Sequence, residues 1–290
     1  MSFEIISHRC NGFGHPENSL VALDAALGSS VDMVEIDIRL TKDSRWVVMH
    51  NPFLTERRKT LRVHEHQYSV LKAEAALLDT MLARIARLKR GVTKTIMIDV
   101  KDVGGERSLV AMLRKHKLGK RVIVIAWEPE ILRRVHALAP KLRIGLSYVP
   151  IHSTMTFLKG ALDTPLSRHN VLPRFNCDCH FTNHLGKGVV HQHYLSYIPD
   201  LSLYSIQVPA RLCTKKLIDI AHKRSIKVYP FIVDSNSLVS RLQVIGVDGI
   251  MTDKPAMILG INEAREVKKR DKRSDKKISA FSRLSSSWSS

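Results

Sequence analysis

Strand-like runs alternating with amphipathic helical stretches over 290 residues predict an α/β protein that closes as a (β/α)8 barrel. Alternation of this kind favours parallel pairing and right-handed crossovers. Eight such strands can be counted, enough to close a ring. The rival, an open doubly wound sheet, needs a glycine-rich turn after its first strand. CNGFGHPEN at 10–18 is not G-x-G-x-x-G in register with a helix start.

The strands are read at Glu4–Arg9, Met33–Leu40, Thr95–Lys101, Arg121–Trp127, Leu142–Val149, Leu203–Val208, Lys227–Val233 and Gly249–Asp253. Trp46–Asn51 is expected to extend the second strand as a hairpin. Helical spacing runs through Leu20, Leu23, Ala26 and Leu27, through Glu106–Lys117, through Ile131, Leu132, Val135 and Leu138, and through Cys213–Lys223 and Asn236–Val244. Two stretches exceed a plain connection. Pro52–Lys94 is expected to contain one helix over Ser69–Lys89, and Pro150–Asp200 forms a second insertion. In a barrel such insertions sit over the active face and shape access to it.

With 44% hydrophobic residues, the chain is neither collagen-like nor low-complexity. Four cysteines (Cys10, Cys177, Cys179, Cys213) do not make a disulfide framework in so long a chain, and Cys177-x-Cys179 is tighter than the usual zinc spacing. The start, MSFEIISHRC, lacks a basic leader with an apolar core, and no run of about 18 apolar residues follows. A cytoplasmic protein is expected.

Lys and Arg number 46 against 27 Asp and Glu, a net charge of +19. From Glu263 to Ser290 there are nine basic and four acidic residues with little apolar content, so the expected domain is 1–262 and the expected tail, 263–290, is disordered and basic. A field of this sign concentrates anions of any kind. The leading partner is a small anionic substrate, with weak contact to an anionic membrane through the tail; nucleic acid is not expected.

Side chains alternate faces along a strand, so Glu35 and Asp37 share one face, as do Asp99 and Lys101, and in a barrel the acids point inward. Carboxylates converging from neighbouring strands repel one another and are costly to bury. Two resolutions are open. A divalent cation with hard oxygen ligands, Mg2+ or Ca2+, could bind there, or the acids could pair with Arg9, Arg39 and Lys101. His8 and His50 end strands at the carboxyl edge, where barrel enzymes place their chemistry. They could divide acid and base work on a phosphate ester, or be satisfied polar residues.

HRCNGFGHPENSLVALDAAL followed by VDMVEIDIRLTKDSRWVVMHNP resembles the glycerophosphodiester phosphodiesterase family, which opens with His-Arg-Gly, Pro-Glu-Asn, Glu-x-Asp, Thr-Lys-Asp and a later His-Asp. The similarity continues through IDVK, AWEPEILRRVHALAP and GVDGIMTDKPA and covers most of Met1–Ile261. The resemblance implies a TIM barrel that hydrolyses glycerophosphodiesters. It implies His8 and His50 as the acid/base pair, Glu35, Asp37 and Asp99 as ligands of Mg2+ or Ca2+, and Arg9 and Lys101 as phosphate-holding residues. Glu17 is expected to support the site through Arg9, and Trp127 and Phe231 to line the pocket. Asn18 and Ser19 are read as helix caps, and Asp253 and Pro255 as structural.

Asp99 replaces the family's Glu, as in the related sphingomyelinase D type phospholipases, which leaves a lysophospholipase D or sphingomyelinase D-like lipid activity open. Cys10 replaces a Gly, Asn51 an Asp and Phe231 a Trp. These departures point to altered substrate choice. An inactive barrel that binds anionic ligands is the reading from another class.

Overall fold

A computed structural model describes residues 3–56, 59–88, 94–147 and 201–260. The Pro150–Asp200 insertion, the Cys177/Cys179 pair and the 263–290 tail lie outside them. Met1–Pro255 forms one compact unit, and of the second, Ala256–Ser290, residues 256–260 are described.

In chain order the elements are β1 (Glu4–Ser7), α1 (Leu20–Gly28), β2 (Met33–Leu40), β3 (Trp46–Val48), β4 (Phe53–Glu56) and β5 (Lys59–Arg62). Next come α2 (Tyr68–Leu71), β6 (Ala76–Leu77), α3 (Leu78–Ala86), β7 (Thr95–Val100), α4 (Glu106–Lys115), β8 (Val122–Ala126) and α5 (Pro129–Leu138). β9 (Arg143–Ser147), β10 (Ser205–Pro209), α6 (Lys215–Lys223), β11 (Lys227–Phe231), α7 (Asn236–Ile245), β12 (Gly249–Thr252) and α8 (Pro255–Ile258) complete the set. Hydroxyl caps start several helices: Ser19, Thr214 and Ser235 accept from the N–H groups of Ala22, Leu217 and Leu238. Among the described residues no helix is long and apolar enough to cross a membrane.

Eight strands pair in parallel in the order β1, β2, β7, β8, β9, β10, β11, with β12 on the free side of β1. The ring closes between β11 and β12, where the Asp248 N–H donates to the Val228 carbonyl at 3.2 Å and the Val233 N–H to the Met251 carbonyl at 3.0 Å. This is the expected (β/α)8 barrel. Strands in such a barrel step by about one residue each, so alternate strands share a level of inward side chains.

The lower levels are apolar: Ile6, Met33, Met97, Ile123, Ile125, Tyr229 and Met251 form one buried cluster. At the floor Lys227 Nζ meets Glu4 Oε2 at 2.7 Å, and the Tyr229 hydroxyl donates to the same oxygen. Toward the carboxyl ends the register turns polar. Glu35, Asp37, Asp99, Ser147 and Gln207 stand there, with His8, Trp127 and Asp253 directly after the ends of β1, β8 and β12. Apolar packing below thus holds a polar mouth above.

The second strand carries its hairpin, β3, antiparallel over Arg39↔Val47 as expected. The single helix expected over Ser69–Lys89 is instead interrupted. α2 ends at Leu71, and Ala76–Leu77 turns aside as β6 to pair with β3 before α3 begins. The cause is the open edge of β3, whose backbone groups need partners. Leu71 and Ala75 are buried in a satellite cluster with Val47, Met49 and Val63, so their spacing served that cluster and not one long helix. β4 and β5 form a hairpin that the sequence reading did not anticipate.

Gly249 lies opposite Glu4 in the β1–β12 ladder, where an added Cβ would come within 2.2 Å of the Glu4 carbonyl oxygen. Gly249→Ala should therefore destabilise the barrel by about 1–3 kcal/mol in urea unfolding. Gly119→Ala, with nothing within 4 Å of the new methyl, should change stability by less than about 0.5 kcal/mol. Equal losses in both would contradict this register.

Candidate active site

β1 ends at Ser7, and residues 8–10 turn sharply, with Arg9 at φ 52° and Cys10 at φ 57°. The left-handed region is costly for side chains with a Cβ. Its result is that the Arg9 N–H points at β2 and donates to Glu35 Oε2 at 2.7 Å. The same turn sends His8 inward. Its Nδ1 lies 2.8 Å from Asp253 Oδ1, at the end of β12, and its Nε2 lies 4.0 Å from Glu35 Oε2. A carboxylate at Nδ1 selects the tautomer with the proton there, leaving the Nε2 lone pair facing the acids.

Asp37 and Asp99 are opposite each other across β2 and β7, and Glu35 sits one inward position below. One oxygen from each lies within 4.8 Å of the others, and all three side chains are buried. Lys101 bridges two of them, with Nζ 2.8 Å from Asp37 Oδ1 and 2.6 Å from Asp99 Oδ2. Arg9 Nε lies 3.3 Å from Asp37 Oδ2 without hydrogen-bond alignment, while its Nη1 donates to Glu17 at 3.2 Å. Asn18, at φ 56°, clamps Asp37 from both sides: its Nδ2 donates to Oδ2 at 2.9 Å and its Oδ1 accepts from the Asp37 N–H at 3.1 Å.

Charge is unevenly shared in this cluster. Burial raises the Glu35 carboxyl well above its ordinary range, and the charges of Asp37 and Asp99 push it further. Asp99 is raised by burial despite Lys101. Burial acts on Asp37 in the same direction, but Lys101, His50 and Arg9 outweigh it and hold that carboxyl far below the usual value. Asp99 Oδ1 is buried with no hydrogen-bond partner. Three convergent carboxylates, one with an unused lone pair, form a hard oxygen donor set that fits Mg2+ or Ca2+.

His50 follows β3 by two residues, and its Nδ1 lies 3.1 Å from Asn51 Oδ1. Trp127 stands half-buried directly after β8. Phe231 ends β11 against the apolar cluster.

The glycerophosphoryl diester phosphodiesterase family model matches residues 8–257. The chain belongs to this family. It is 23% identical to a glycerophosphodiester phosphodiesterase of Caldanaerobacter subterraneus over 89% of this chain and 96% of the relative. To one of Bacillus altitudinis it is 25% identical over 90% and 98%. Its fold is also that of solved structures. A glycerophosphodiester phosphodiesterase of Parabacteroides distasonis superposes with a TM-score of 0.64 at 18% identity over 91% of this chain and 98% of that one. An Oleispira antarctica phosphodiesterase in complex with the product sn-glycerol-3-phosphate gives 0.65 at 18% over 89% and 95%.

The structure brings together His8, Arg9, Glu17, Glu35, Asp37, Asp99 and Lys101. Three readings change. Asn18 does not cap α1, since Ser19 does; it serves Asp37. Arg39 does not pair with the acidic trio but with Asp102, 3.0 Å away. Asp253 is not simply punctuation, because it holds His8. Its position gave one signal in the sequence: the last strand of a closed barrel must end beside the first.

Burial drives the His50 ring down to about 4, Asp37 pulls it back up, and Lys101 and Arg9 push it further down. An unfolded chain protonates near the ordinary 6.5, so His50 contributes stability that is full above about 6.5 and is lost as pH falls toward 4. In chelator-treated protein the His50 ring should remain neutral by NMR at pH 5.5, and His50→Gln should flatten the loss of stability between pH 7 and 4.5. A ring that titrates near 6.5 would contradict this environment.

Proposed function

We propose that the protein hydrolyses glycerophosphodiesters to glycerol 3-phosphate and an alcohol, using a divalent cation and a pair of histidines. The observation that carries this reading is the buried Glu35, Asp37 and Asp99 trio with the unpartnered Asp99 oxygen, beside the Nε2 of His8. Glu35, Asp37 and Asp99 would hold Mg2+ or Ca2+, which when bound polarises the phosphoryl oxygens and offsets their charge.

Arg9, beside Asp37, and Lys101, between Asp37 and Asp99, present cations to the phosphate. One imidazole, of His8 or His50, accepts the proton of the attacking water or neighbouring hydroxyl as the new P–O bond forms. The other gives a proton to the alcohol oxygen as the old P–O bond breaks. Water and diester yield a phosphate monoester and an alcohol; a neighbouring hydroxyl instead expels the alcohol and leaves a cyclic phosphate, which one water then opens to the monoester. Asp253 orients His8 by fixing its Nδ1 proton, and Trp127 and Phe231 line the mouth.

A lipid substrate of the lysophospholipase D or sphingomyelinase D kind is favoured by one observation, the exposed Phe53 and Ile232 on segments following His50 and Phe231. The basic 263–290 tail would add weak contact with an anionic membrane in the cytoplasm. The intact acidic trio and both histidines speak against an inert barrel.

His8→Ala and His50→Ala should each lower kcat on glycerophosphocholine by about 10²–10⁴-fold with native circular dichroism, and chelator should abolish turnover. Comparison with lysophosphatidylcholine and sphingomyelin separates the two substrate classes. Wild-type rates in both variants on every diester would refute the assignment. Asp253→Asn should lower kcat about 10- to 100-fold with KM little changed; an unchanged kcat would remove Asp253 from the mechanism.

A further inference from the structure

His50 stands on a short link between β3, which ends at Val48, and β4, which begins at Phe53. A side chain on such a link keeps its aim only if the backbone is tied down. The Val63 N–H donates to the Pro52 carbonyl at 3.0 Å at the far end of the link, and two bonds from β2 hold its start. The Met49 N–H donates to the Asp37 carbonyl at 3.0 Å, and Arg39 Nε donates to the His50 carbonyl at 2.8 Å.

Arg39 is itself held. Its Nη1 donates to Asp102 Oδ1 at 3.0 Å, and Asp102 Oδ2 accepts from the Leu40 N–H at 2.8 Å. Both carboxylate oxygens of Asp102 are thus engaged by adjacent residues of β2, one through a side chain and one through the main chain. Arg39 and Asp102 are buried, at 9% and 8% exposure. A buried ion pair is weak ground for stability, because desolvation offsets its attraction and apolar residues of similar volume pack as well. An apolar pair could not, however, place a directional donor on the His50 carbonyl. The fork of a guanidinium can serve carbonyl and carboxylate at once from one rigid plane, which a lysine ammonium cannot reproduce.

We infer that Arg39, oriented by Asp102, is a positioning residue for His50, acting through the His50 carbonyl. The inference rests on the proposed role of His50 in proton transfer. It also joins two parts of the site, since Asp102 directly follows Lys101 just past the end of β7.

The test is a double-mutant cycle on the full-length, metal-loaded protein with glycerophosphocholine. Arg39→Lys should lower kcat at least about tenfold, with KM within about twofold. In the His50→Ala background the same change should cost less than about twofold, because the residue it positions is gone. Long-range proton–nitrogen NMR should show altered His50 ring signals in Arg39→Lys and unaltered His8 signals.

A kcat within twofold of wild type, or a tenfold cost that persists beside His50→Ala, overturns the inference while leaving the proposed reaction standing. Wild-type turnover in His50→Ala alone overturns the role of His50 in that reaction instead. Should Arg39→Lys fail to fold, Asp102→Asn is run through the same cycle with the same expectations. Failure of both to fold makes the pair structural and also overturns the inference.

Discussion

Three carboxylates are buried within 4.8 Å of one another in the barrel mouth, and most of what surrounds them follows from that crowding. Each fully charged pair at such a distance repels by at least about 3 kcal/mol at an effective dielectric of about 20. A chain that folds with them together must supply positive charge, hydrogen-bond donors or protons. All three are present. Lys101 lies between Asp37 and Asp99, the Arg9 amide and the Asn18 side chain donate to Glu35 and Asp37, and burial pushes the Glu35 and Asp99 carboxyls toward their protonated forms. The cluster is thus tolerable without an ion and better neutralised with one.

The same crowding explains the division between the two histidines. His8 has a carboxylate of its own, Asp253, fixed from β12, whereas His50 is held down by burial, with Asp37 pulling against the cations Lys101 and Arg9 and a neutral amide neighbour in Asn51. Two imidazoles of like intrinsic basicity therefore stand in unlike fields. That difference is what a reaction needing both an acceptor and a donor of protons can use.

Much of this was legible in the sequence wherever a local period carried it. VEIDI and IDVK announce inward acids by alternation, and amphipathic spacing located α4, α5, α6 and α7 near their observed bounds. The motif resemblance supplied the expected roles that spacing left open. Contacts between residues far apart along the chain were not readable in this way. Asp253 meets His8 across 245 residues of chain, and Asp102 finds Arg39 across 63. Asn18 looked like a cap because caps and clamps draw on the same short polar side chains. The Ser69–Lys89 stretch misled because its apolar residues are shared between α2, a satellite cluster and α3, so one helical period fitted three separate tasks.

The grip of the main chain on Glu35 has a consequence for how this site can vary. The donor at 2.7 Å is the peptide nitrogen of residue 9, not its guanidinium, so it is inherited with the turn and not with the side chain. Selection can exchange the side chain at that position while the anchorage of the lowest of the three clustered carboxylates is left untouched. What cannot drift freely is the conformation itself: a left-handed pair occupied by arginine and cysteine, neither of them glycine, endures only while the packing around Cys10 keeps it in place.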